Sequence, residues 1–430
     1  MRVFIAILLL PALASGAVTN LTASDAWQSA IQSFTGANTA IVAAGTYAVT
    51  NTLFIPANTL ITGTWDRAAV FTGGGTCRVM QAQGAGVRLV GLTVRNGHVP
   101  AGQPAGAGIK GFGDLANRVS VSNCFIVSNW YGGGVGGNWG AGAFYANAQN
   151  SDFAFNVATN AWGGGLGYGM ASNCTFSNNI ALSGGGGASV AAYSCRFVGN
   201  RALGASGADG GGLLGSGSGA YAENCSFISN SAPGGTGGGT RGMFGVSNYY
   251  GWNSALQQGG GIRGGTHSNA VVELNSVGPG NNRNGGGCCG ATLFDSIVRS
   301  NYASYNNGGL DGCTAHRTLI QGNVSGNLGC VGGSSKIYSC VVDGNVASNG
   351  GGMVHTPEMF NCTIVNHSED RSAIVVGVNA QSKIWNNVFW NPEAATNWFV
   401  VATNAGCNSS NDPAFIPGTY RLSPGSPCID

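Results

Sequence analysis

Cys124-Phe125-Ile126-Val127-Ser128-Asn129 is the stretch that decides the fold. It reads as a small residue or cysteine, any residue, a large apolar residue termed the anchor, two further residues, and an asparagine. The later copies pair Phe153 with Asn156, Phe176 with Asn179, Phe197 with Asn200, Phe227 with Asn230, Val298 with Asn301, Ile320 with Asn323, Val342 with Asn345, Ile364 with His367, and Val388 with Asn391. The anchors step by 27, 23, 21 and 30 residues and, after a gap of 71, by 22, 22, 22 and 24.

This period predicts an all-β parallel β-helix in which each repeat forms one coil. The general bias of parallel crossovers indicates that this β-helix is right-handed. Successive side chains of a strand point to opposite faces, so residues two apart share a face. Coils stack ~4.8 Å apart, which places like residues in ladders. We expect the anchors inside, and a hydrogen-bonded ladder of the asparagines at the strand ends, where a left-handed backbone costs asparagine little. Glycine clusters such as 184–187 supply the tight corners.

Six of the thirteen cysteines lie two residues before an anchor: Cys124, Cys174, Cys195, Cys225, Cys340 and Cys362. By the alternation argument these thiols point inward, and we interpret them as a ladder of buried, free, hydrophobic thiols. No Cys-x-x-Cys pair is present, so a metal site is not expected. Cys407 and Cys428 either form a disulfide in the tail or stay unpaired; the two alternatives are equally open.

The composition excludes several classes of protein. Glycine contributes 76 of 430 residues without a three-residue period, so the chain is not collagen. A hydrophobic content of 43% is enough to build a core, which argues against disorder. Charged residues make up 8% of the chain and the formal net charge is +2 without a basic cluster. A nucleic acid is therefore not an expected partner.

The N-terminal residues indicate export. Arg2, the apolar run from Val3 to Leu10 and a small-residue site such as Ala12-Leu13-Ala14 form a secretory signal peptide. No later stretch reaches the ~18 apolar residues of a membrane span. We expect a secreted or outer-surface bacterial protein without a transmembrane segment in its mature chain.

The domain organisation follows from the repeat. We expect a signal peptide over residues 1–16, a capping segment over 17–38, a β-helix over 39–400 with an irregular insertion at about 231–290, and a tail motif over 401–430. In the capping segment we predict a helix over Asp25 to Phe34, capped by Ser24, with Trp27, Ile31 and Phe34 on its apolar face. Such a helix would cover the open end of the solenoid.

Several motifs resemble known families. Ala44-Gly45-Thr46-Tyr47 and the stretch from Gly91 to Gly97 resemble the opening coils of secreted bacterial right-handed parallel β-helix proteins of the pectin-lyase type. The Phe-x-x-Asn and Gly-Gly pairs are similar to repeats of polymorphic outer-membrane adhesins. The stretches 412–415 and 420–430 resemble the end of β-helix proteins with interchangeable C-terminal anchors. The resemblance implies the fold, whereas it leaves activity open because this fold serves lyases, hydrolases, adhesins and structural proteins.

The candidate catalytic residues lie on one outer face. The residue after each anchor points outward, which stacks Arg299, Gln321 and Asp343 on successive coils. Asp311 and His316 lie nearby in sequence. A β-helix lyase typically needs a basic residue and carboxylates, often with calcium, so this patch is the candidate active site. The alternative is an ordinary solvated face. No cofactor is expected, except calcium if the protein is a lyase.

Aromatic residues give a second functional signal. Rings flanked by Asn, Gln and Gly are suited to stacking on sugars, and the candidates are Tyr249, Tyr250, Trp252, Trp130 and Trp162. The alternative is that they fill corners or cover the core.

Three functions remain open from the sequence. The first is a non-catalytic adhesin or glycan-binding protein whose partner is a polysaccharide or cell-surface glycan. The second is a polysaccharide lyase or glycoside hydrolase that uses the Arg299–Asp343 face. The third is a structural component of an extracellular sheath. Low charge and the lack of a clear acid–base constellation favour the first, so we lean towards a protein that is not an enzyme.

Overall fold

The chain coils into a parallel β-helix. The computed structural model describes residues 16–103, 105–113, 117–132, 139–204, 207–215, 220–281, 283–348, 354–367, 375–377, 382–391, 404–406, 409, 411–416 and 419–428. Most of the predicted signal peptide lies outside this set. One coil comprises the strands Leu310–Asp311, Thr314–His316, Leu319–Gln321 and Val324–Ser325, and each pairs in parallel with the matching strand of the next coil. The predicted all-β parallel β-helix is confirmed.

In the part of the chain that the structure describes, the strands form three sheets, here named A, B and C. Sheet A has 29 strands: Val18–Leu21, Asn38–Val42, Leu53–Ile55, Thr59–Thr62, Met80–Ala82, Arg88–Val90, Ile109–Lys110, Val119–Ser122, Ala143–Phe144, Ala146–Gln149, Leu166–Ser172, Gly187–Tyr193, Leu213–Leu214, Tyr221–Glu223, Thr240–Arg241, Phe244–Val246, Ile262–Arg263, Thr266–Ser268, Cys288–Cys289, Thr292–Phe294, Leu310–Asp311, Thr314–His316, Val331–Gly332, Lys336–Tyr338, Val354–Thr356, Glu358–Phe360, Val375–Gly377, Lys383–Trp385 and Asn404–Gly406. A typical coil contributes two of these strands, separated by a corner.

Sheet B receives one strand from each coil, so its 15 strands correspond to 15 coils in the described part of the chain. These strands are Gly45–Ala48, Ala69–Thr72, Leu92–Arg95, Phe125–Val127, Asp152–Ala154, Thr175–Ser177, Arg196–Val198, Ser226–Ile228, Tyr249–Gly251, Val271–Glu273, Ile297–Arg299, Leu319–Gln321, Val341–Asp343, Thr363–Val365 and Val388–Trp390. Sheet C has 11 strands: His98–Val99, Trp130–Tyr131, Val157–Trp162, Ile180–Ser183, Arg201–Ala202, Ser231–Ala232, Ser254–Ala255, Ser276–Val277, Tyr302–Ala303, Val324–Ser325 and Val346–Ala347.

The anchors stack inside sheet B. Rings from Phe153 through Phe176, Phe197 and Phe227 to Tyr250 lie parallel, with centroids 4.7–5.0 Å apart. This spacing follows from the separation of hydrogen-bonded strands. In the last coil the inward residue is Phe389, which pairs with Ile364, whereas Val388 points outward. The inner face of sheet B therefore carries a column of large apolar side chains that runs from coil to coil.

The expected irregular insertion at 231–290 is wrong. Two regular coils fill it, with Tyr250 and Val272 as anchors and Asn253 and Asn275 at the strand ends. The residue two before Tyr250 is Asn248, which departs from the repeat, whereas Ala270, Val272 and Asn275 match the repeat and were overlooked. Tyr250 joins the ring stack although it carries a hydroxyl, since His267 Nδ1 lies 3.2 Å from that hydroxyl inside the core.

The strand-end asparagines form a continuous buried ladder. Each side-chain amide donates to the Oδ1 of the next asparagine, as in Asn230 to Asn253 at 3.0 Å and Asn253 to Asn275 at 2.9 Å. Each amide also donates to an anchor carbonyl of the preceding coil, such as Phe227 O at 2.9 Å for Asn253. The left-handed backbone lies one residue earlier than expected, at positions such as Ser229 with φ 54°. The ladder runs through Asn129, Asn156, Asn179, Asn200, Asn230, Asn253, Asn275, Asn301, Asn323 and Asn345 and meets His367.

The six cysteines before the anchors are buried and free. Their thiols occupy a second interior column, in which Cys225 Sγ accepts from the backbone N–H of Cys195 at 3.3 Å. Other coils place Ser151, Asn248, Ser296 or Asn387 at this position, and their oxygens accept the same bond. Cys407, one partner of the possible tail disulfide, lies outside the described residues.

A short α-helix, Trp27–Gln32, packs on the first coils. It is shorter than expected, and the predicted cap is wrong: Ala26 is the N-cap residue, and the Ser24 hydroxyl pairs with Thr22 instead. The Trp27 ring meets the ring of Tyr47 edge-on at 5.4 Å, at the start of the inward column. Among the described residues, no helix is long and apolar enough to cross a bilayer.

Candidate functional site

Arg299 and Asp343 lie in one outward row of sheet B, in register with Gln321 between them. Glu273 extends this row by one coil and accepts from Arg299 Nε at 2.5 Å. The Tyr249 hydroxyl donates to the other oxygen of Glu273 at 2.9 Å. The sequence pattern did not place Glu273 in this row, because its anchor Val272 lies in the region that was expected to be an irregular insertion. The guanidinium of Arg299 is therefore held by an acid of its own row.

The carboxylate of Asp343 is enclosed by donors. Gln321 donates to it at 2.7 Å, Asn366 at 2.8 Å and the hydroxyl of Tyr420 at 2.8 Å. Tyr420 belongs to the C-terminal tail, which folds back over this end of the row. Burial and the nearby Asp343 raise the pKa of Tyr420 to about 12, so its proton stays on the hydroxyl. Asp343 is 8% exposed and has little surface left for a substrate.

The structure does not bring Asp311 and His316 to this row. Both lie on sheet A, because the chain turns a corner at Arg317, whose φ is 48°, before it enters sheet B. Asp311 is buried and accepts from Asn307 at 2.7 Å. His316 is sandwiched between Phe294 and Tyr338, with ring centroids 4.9 and 4.8 Å away. The expectation of one catalytic patch containing all four residues is therefore wrong.

The aromatic candidates also separate. Tyr250 is fully buried in the ring column, so its expected role as a sugar platform is wrong. Tyr249 is half-buried and held by Glu273, and Trp252 is 53% exposed at the corner after sheet B. Trp162 and Trp130 line two separate depressions of the surface.

A strip of glycines runs along the corner where sheet C leads into sheet A, here named the glycine strip. Outward side chains flank it in two rows: Trp139, Trp162, Ser183, Asp209, Thr236, Gln258, Asn284 and Asn306 on one side, and Leu214, Arg241, Arg263, Cys289 and Asp311 on the other. Gly237 shows why side chains are absent between the rows. Its φ is +68°, and an added Cβ would lie 2.4 Å from Thr240 O and 3.1 Å from the Cβ of Arg241.

The glycine strip has a depression of about 580 Å³ whose lining includes Trp162, Asp209 and Arg241. Asp209 is 6% exposed, accepts from the Thr236 hydroxyl at 2.7 Å and forms an ion pair with Arg241. Burial and the neighbouring Arg263 lower the pKa of Arg241 from its ordinary value. The ion pair with Arg241 compensates the charge of the buried Asp209 carboxylate. The lining of this depression therefore includes both an aromatic ring and an ion pair.

The orientation of Trp162 is fixed by a second indole. Its ring meets that of Trp139 edge-on, with centroids 4.6 Å apart, and Trp139 is itself buried. A ring held in this way loses little conformational freedom when a ligand stacks on it. In the described part of the chain, no three His, Cys, Asp or Glu side chains come together to hold a metal ion.

No family model and no curated protein match this sequence. Several solved structures are similar to it at low identity. One is a mannuronic-acid-specific family 6 polysaccharide lyase from human gut microbiota, 9% identical, with a TM-score of 0.38, covering 77% of this chain and 87% of that chain. Another is a tailspike double mutant of E. coli bacteriophage HK620 with a pentasaccharide, 14% identical, with a TM-score of 0.42, covering 89% and 75%. A third is the A-module of a mannuronan C-5 epimerase of Azotobacter vinelandii, 12% identical, with a TM-score of 0.28, covering 90% and 95%.

Proposed function

We propose that this chain is a polysaccharide-binding β-helix, secreted or displayed on the outer surface of a bacterium, that holds a glycan on the glycine strip. The observation that carries the proposal is the depression in which the Trp162 ring lies beside the Asp209–Arg241 pair. Sugars present apolar C–H faces that stack on indole rings, and hydroxyls that bond to charged donors and acceptors at once. This depression supplies both kinds of partner.

The strip beyond the depression extends the same chemistry. Gln258 and Asn284 continue the row of Thr236 on the next two coils, and both are half-buried. Coils are ~4.8 Å apart, close to the length of one sugar unit, so one chain of sugars can contact several coils in turn. The bare glycine backbone between the rows lets such a chain approach closely.

The test is retention on immobilised glucan, mannan, xylan, alginate and polygalacturonate. Trp162→Ala removes the ring, and Arg241→Lys keeps the charge but loses the forked hydrogen bonds of arginine. We expect each to weaken binding at least ~10-fold, the equivalent of ~1.4 kcal/mol. Trp65→Ala is the matched control, because Trp65 is 85% exposed and lies outside the depression. Unchanged retention of both strip variants would exclude the glycine strip as the binding site.

A second candidate is a polysaccharide lyase that uses the outward row of sheet B, favoured by Glu273, Arg299 and Asp343 sharing one face. A glycosidase fits this row less well. Glu273 and Asp343 are three coils apart, ~14 Å, whereas paired glycosidase carboxylates lie about 5–9.5 Å apart. Release of unsaturated sugars, measured with calcium and with a chelator and abolished in Arg299→Ala, would establish the lyase. Binding without product would support the first proposal.

A further inference from the structure

A second depression, of about 520 Å³, lies on a different corner of the β-helix, where sheet B leads into sheet C. Its lining residues are Gly74, Gly75, Asn96, Gly97, His98, Ser128 and Trp130. These belong to the second, third and fourth coils, whereas Trp162 and Arg241 follow the sheet B strands of the fifth and eighth. The centres of the two depressions are therefore three to four coils, ~15–20 Å, apart along the axis, and the depressions open on different corners.

Two rings set the shape of this second depression. The Trp130 ring is 38% exposed and meets the His98 ring at 83°, with centroids 4.4 Å apart. His98 Nδ1 lies 2.7 Å from the carbonyl oxygen of Gly75. Because a carbonyl can only accept, Nδ1 carries the proton, and Nε2 of the neutral ring is left as an acceptor. His98 therefore offers a hydrogen-bond acceptor beside an exposed indole.

The rest of the lining is polar but uncharged. Asn96 and Ser128 occupy left-handed corner positions with φ of 52° and 54°, and both are exposed. Within the described residues, their side chains form no internal hydrogen bond, so amide and hydroxyl groups are available to a ligand. Gly74 and Gly75 leave the mouth open, because a Cβ added to either would meet nothing within 4 Å.

We propose that this second depression is an independent binding site for one neutral pyranose unit. The sugar stacks on Trp130, donates a hydroxyl to His98 Nε2 and bonds to Asn96 and Ser128. None of the described lining residues is Asp, Glu, Lys or Arg, so they offer no charged partner for a uronic acid, in contrast to the Asp209–Arg241 depression. The inference goes beyond the proposed function, since it gives the chain a second glycan contact on another face. Two linked contacts raise the avidity for a long glycan.

The experiment titrates cellohexaose, mannohexaose and xylohexaose against a background in which the glycine strip is disabled by Trp162→Ala and Thr236→Val. We expect at least one hexasaccharide to bind this background at one site per chain. Adding Trp130→Ala should weaken that binding ~10-fold or more. His98→Asn keeps a donor to Gly75 O but deletes Nε2, and should weaken it by ~3- to 10-fold.

Trp65→Ala in the same background serves as the control and should bind as the background does. Trp130→Phe keeps an aromatic ring at this position. Circular dichroism of the variants shows whether a loss of binding comes from a loss of folding. No binding by the strip-disabled background, or equal binding with and without Trp130→Ala, would overturn the second site. A failure of the proposed function would give a different result, because the strip variants would then bind polysaccharide as well as the wild type does.

Discussion

The hydroxyl of Tyr420 donates to the carboxylate of Asp343 at 2.8 Å across 77 residues of sequence. The tail segment that carries Tyr420 closes on itself through an antiparallel bridge between Phe415 and Leu422. The Tyr420 side chain is one of the contacts that join this segment to sheet B. The same contact covers the Asp343 end of the row that the sequence had indicated as catalytic.

Tyr420→Phe should loosen the tail without unfolding the β-helix. Tyr420 is 38% exposed, so water replaces part of the lost bond, and we expect a cost of about 1 kcal/mol or less. Limited proteolysis should then cleave the tail up to ~5-fold faster, because cleavage tracks the open population. Tyr302→Phe is the control, since that exposed hydroxyl bonds to no group in the described part of the chain. Equal cleavage of the two variants would contradict the role of Tyr420.

Asn253→Ala should break the ladder in its middle. The side chain of Asn253 donates to Phe227 O and Asn275 Oδ1 and accepts from Asn230, so its removal leaves several buried groups unpaired. We expect a loss of about 3 kcal/mol in the free energy of unfolding, measured by urea titration. The exposed Asn281→Ala should change it by less than about 0.5 kcal/mol. A similar small change for Asn253→Ala would show that the ladder adds little stability.

Gly237→Ala tests the glycine strip. At φ +68° an alanine is strained, and its Cβ would lie 2.4 Å from Thr240 O, so the backbone has to shift. We expect a cost of about 2–4 kcal/mol. Gly36→Ala has a comparable φ of +80° but meets no atom within 4 Å, and should cost about 1 kcal/mol. Thermal or urea unfolding compares the two, and equal costs would mean that backbone conformation alone selects glycine at 237.

His267 should make the protein less stable in acid. Burial lowers the pKa of this ring to about 4 from an ordinary 6.5. The folded protein therefore binds the proton more weakly than the unfolded chain, and the stabilisation present above pH 6.5 is lost as the pH falls towards 4. The difference corresponds to about 3 kcal/mol. His367, buried at the end of the asparagine ladder, has a similarly lowered pKa of about 4 and adds to the effect.

Urea titrations between pH 6.5 and 4 measure this acid sensitivity. In His267→Leu the decrease in stability should shrink to roughly half, since His367 still titrates. The exposed His355→Gln should retain most of the wild-type slope. If the free energy of unfolding of His267→Leu depended on pH as steeply as that of the wild type, other groups would cause the acid sensitivity.

The interior cysteines should resist alkylation while the protein is folded. Burial raises the pKa of Cys124 to about 11 and of Cys313 to about 12, and the thiolate is the reactive form. A short pulse of iodoacetamide, read site by site by mass spectrometry, should label the half-buried Cys77 and Cys428 first. Denaturant should then expose the remaining thiols. Labelling of Cys124 at the rate of Cys428 in the native protein would contradict this packing.

The repeat period made most of the fold predictable. Coils related by a constant translation bring like positions together, so spacing alone placed Ile320 above Val298 and Asn323 above Asn301. The same argument put Arg299, Gln321 and Asp343 in one row. It failed at Tyr250, because Asn248 replaces the small residue or cysteine two positions before the anchor, and the anchor itself is a tyrosine whose hydroxyl contacts His267 of the next coil.

By itself, the sequence determined the features that recur from coil to coil, which are the coil itself, the inward column, the asparagine ladder and the outward rows. Only the tertiary structure decided how the corners and the tail close. The corner between sheets C and A leaves an opening lined by both Trp162 and Arg241, and the returning tail places Tyr420 on Asp343. Such contacts join residues at different positions of the repeat, and no spacing encodes them. They depend on how each irregular segment packs and pairs its polar groups once the regular coils exist.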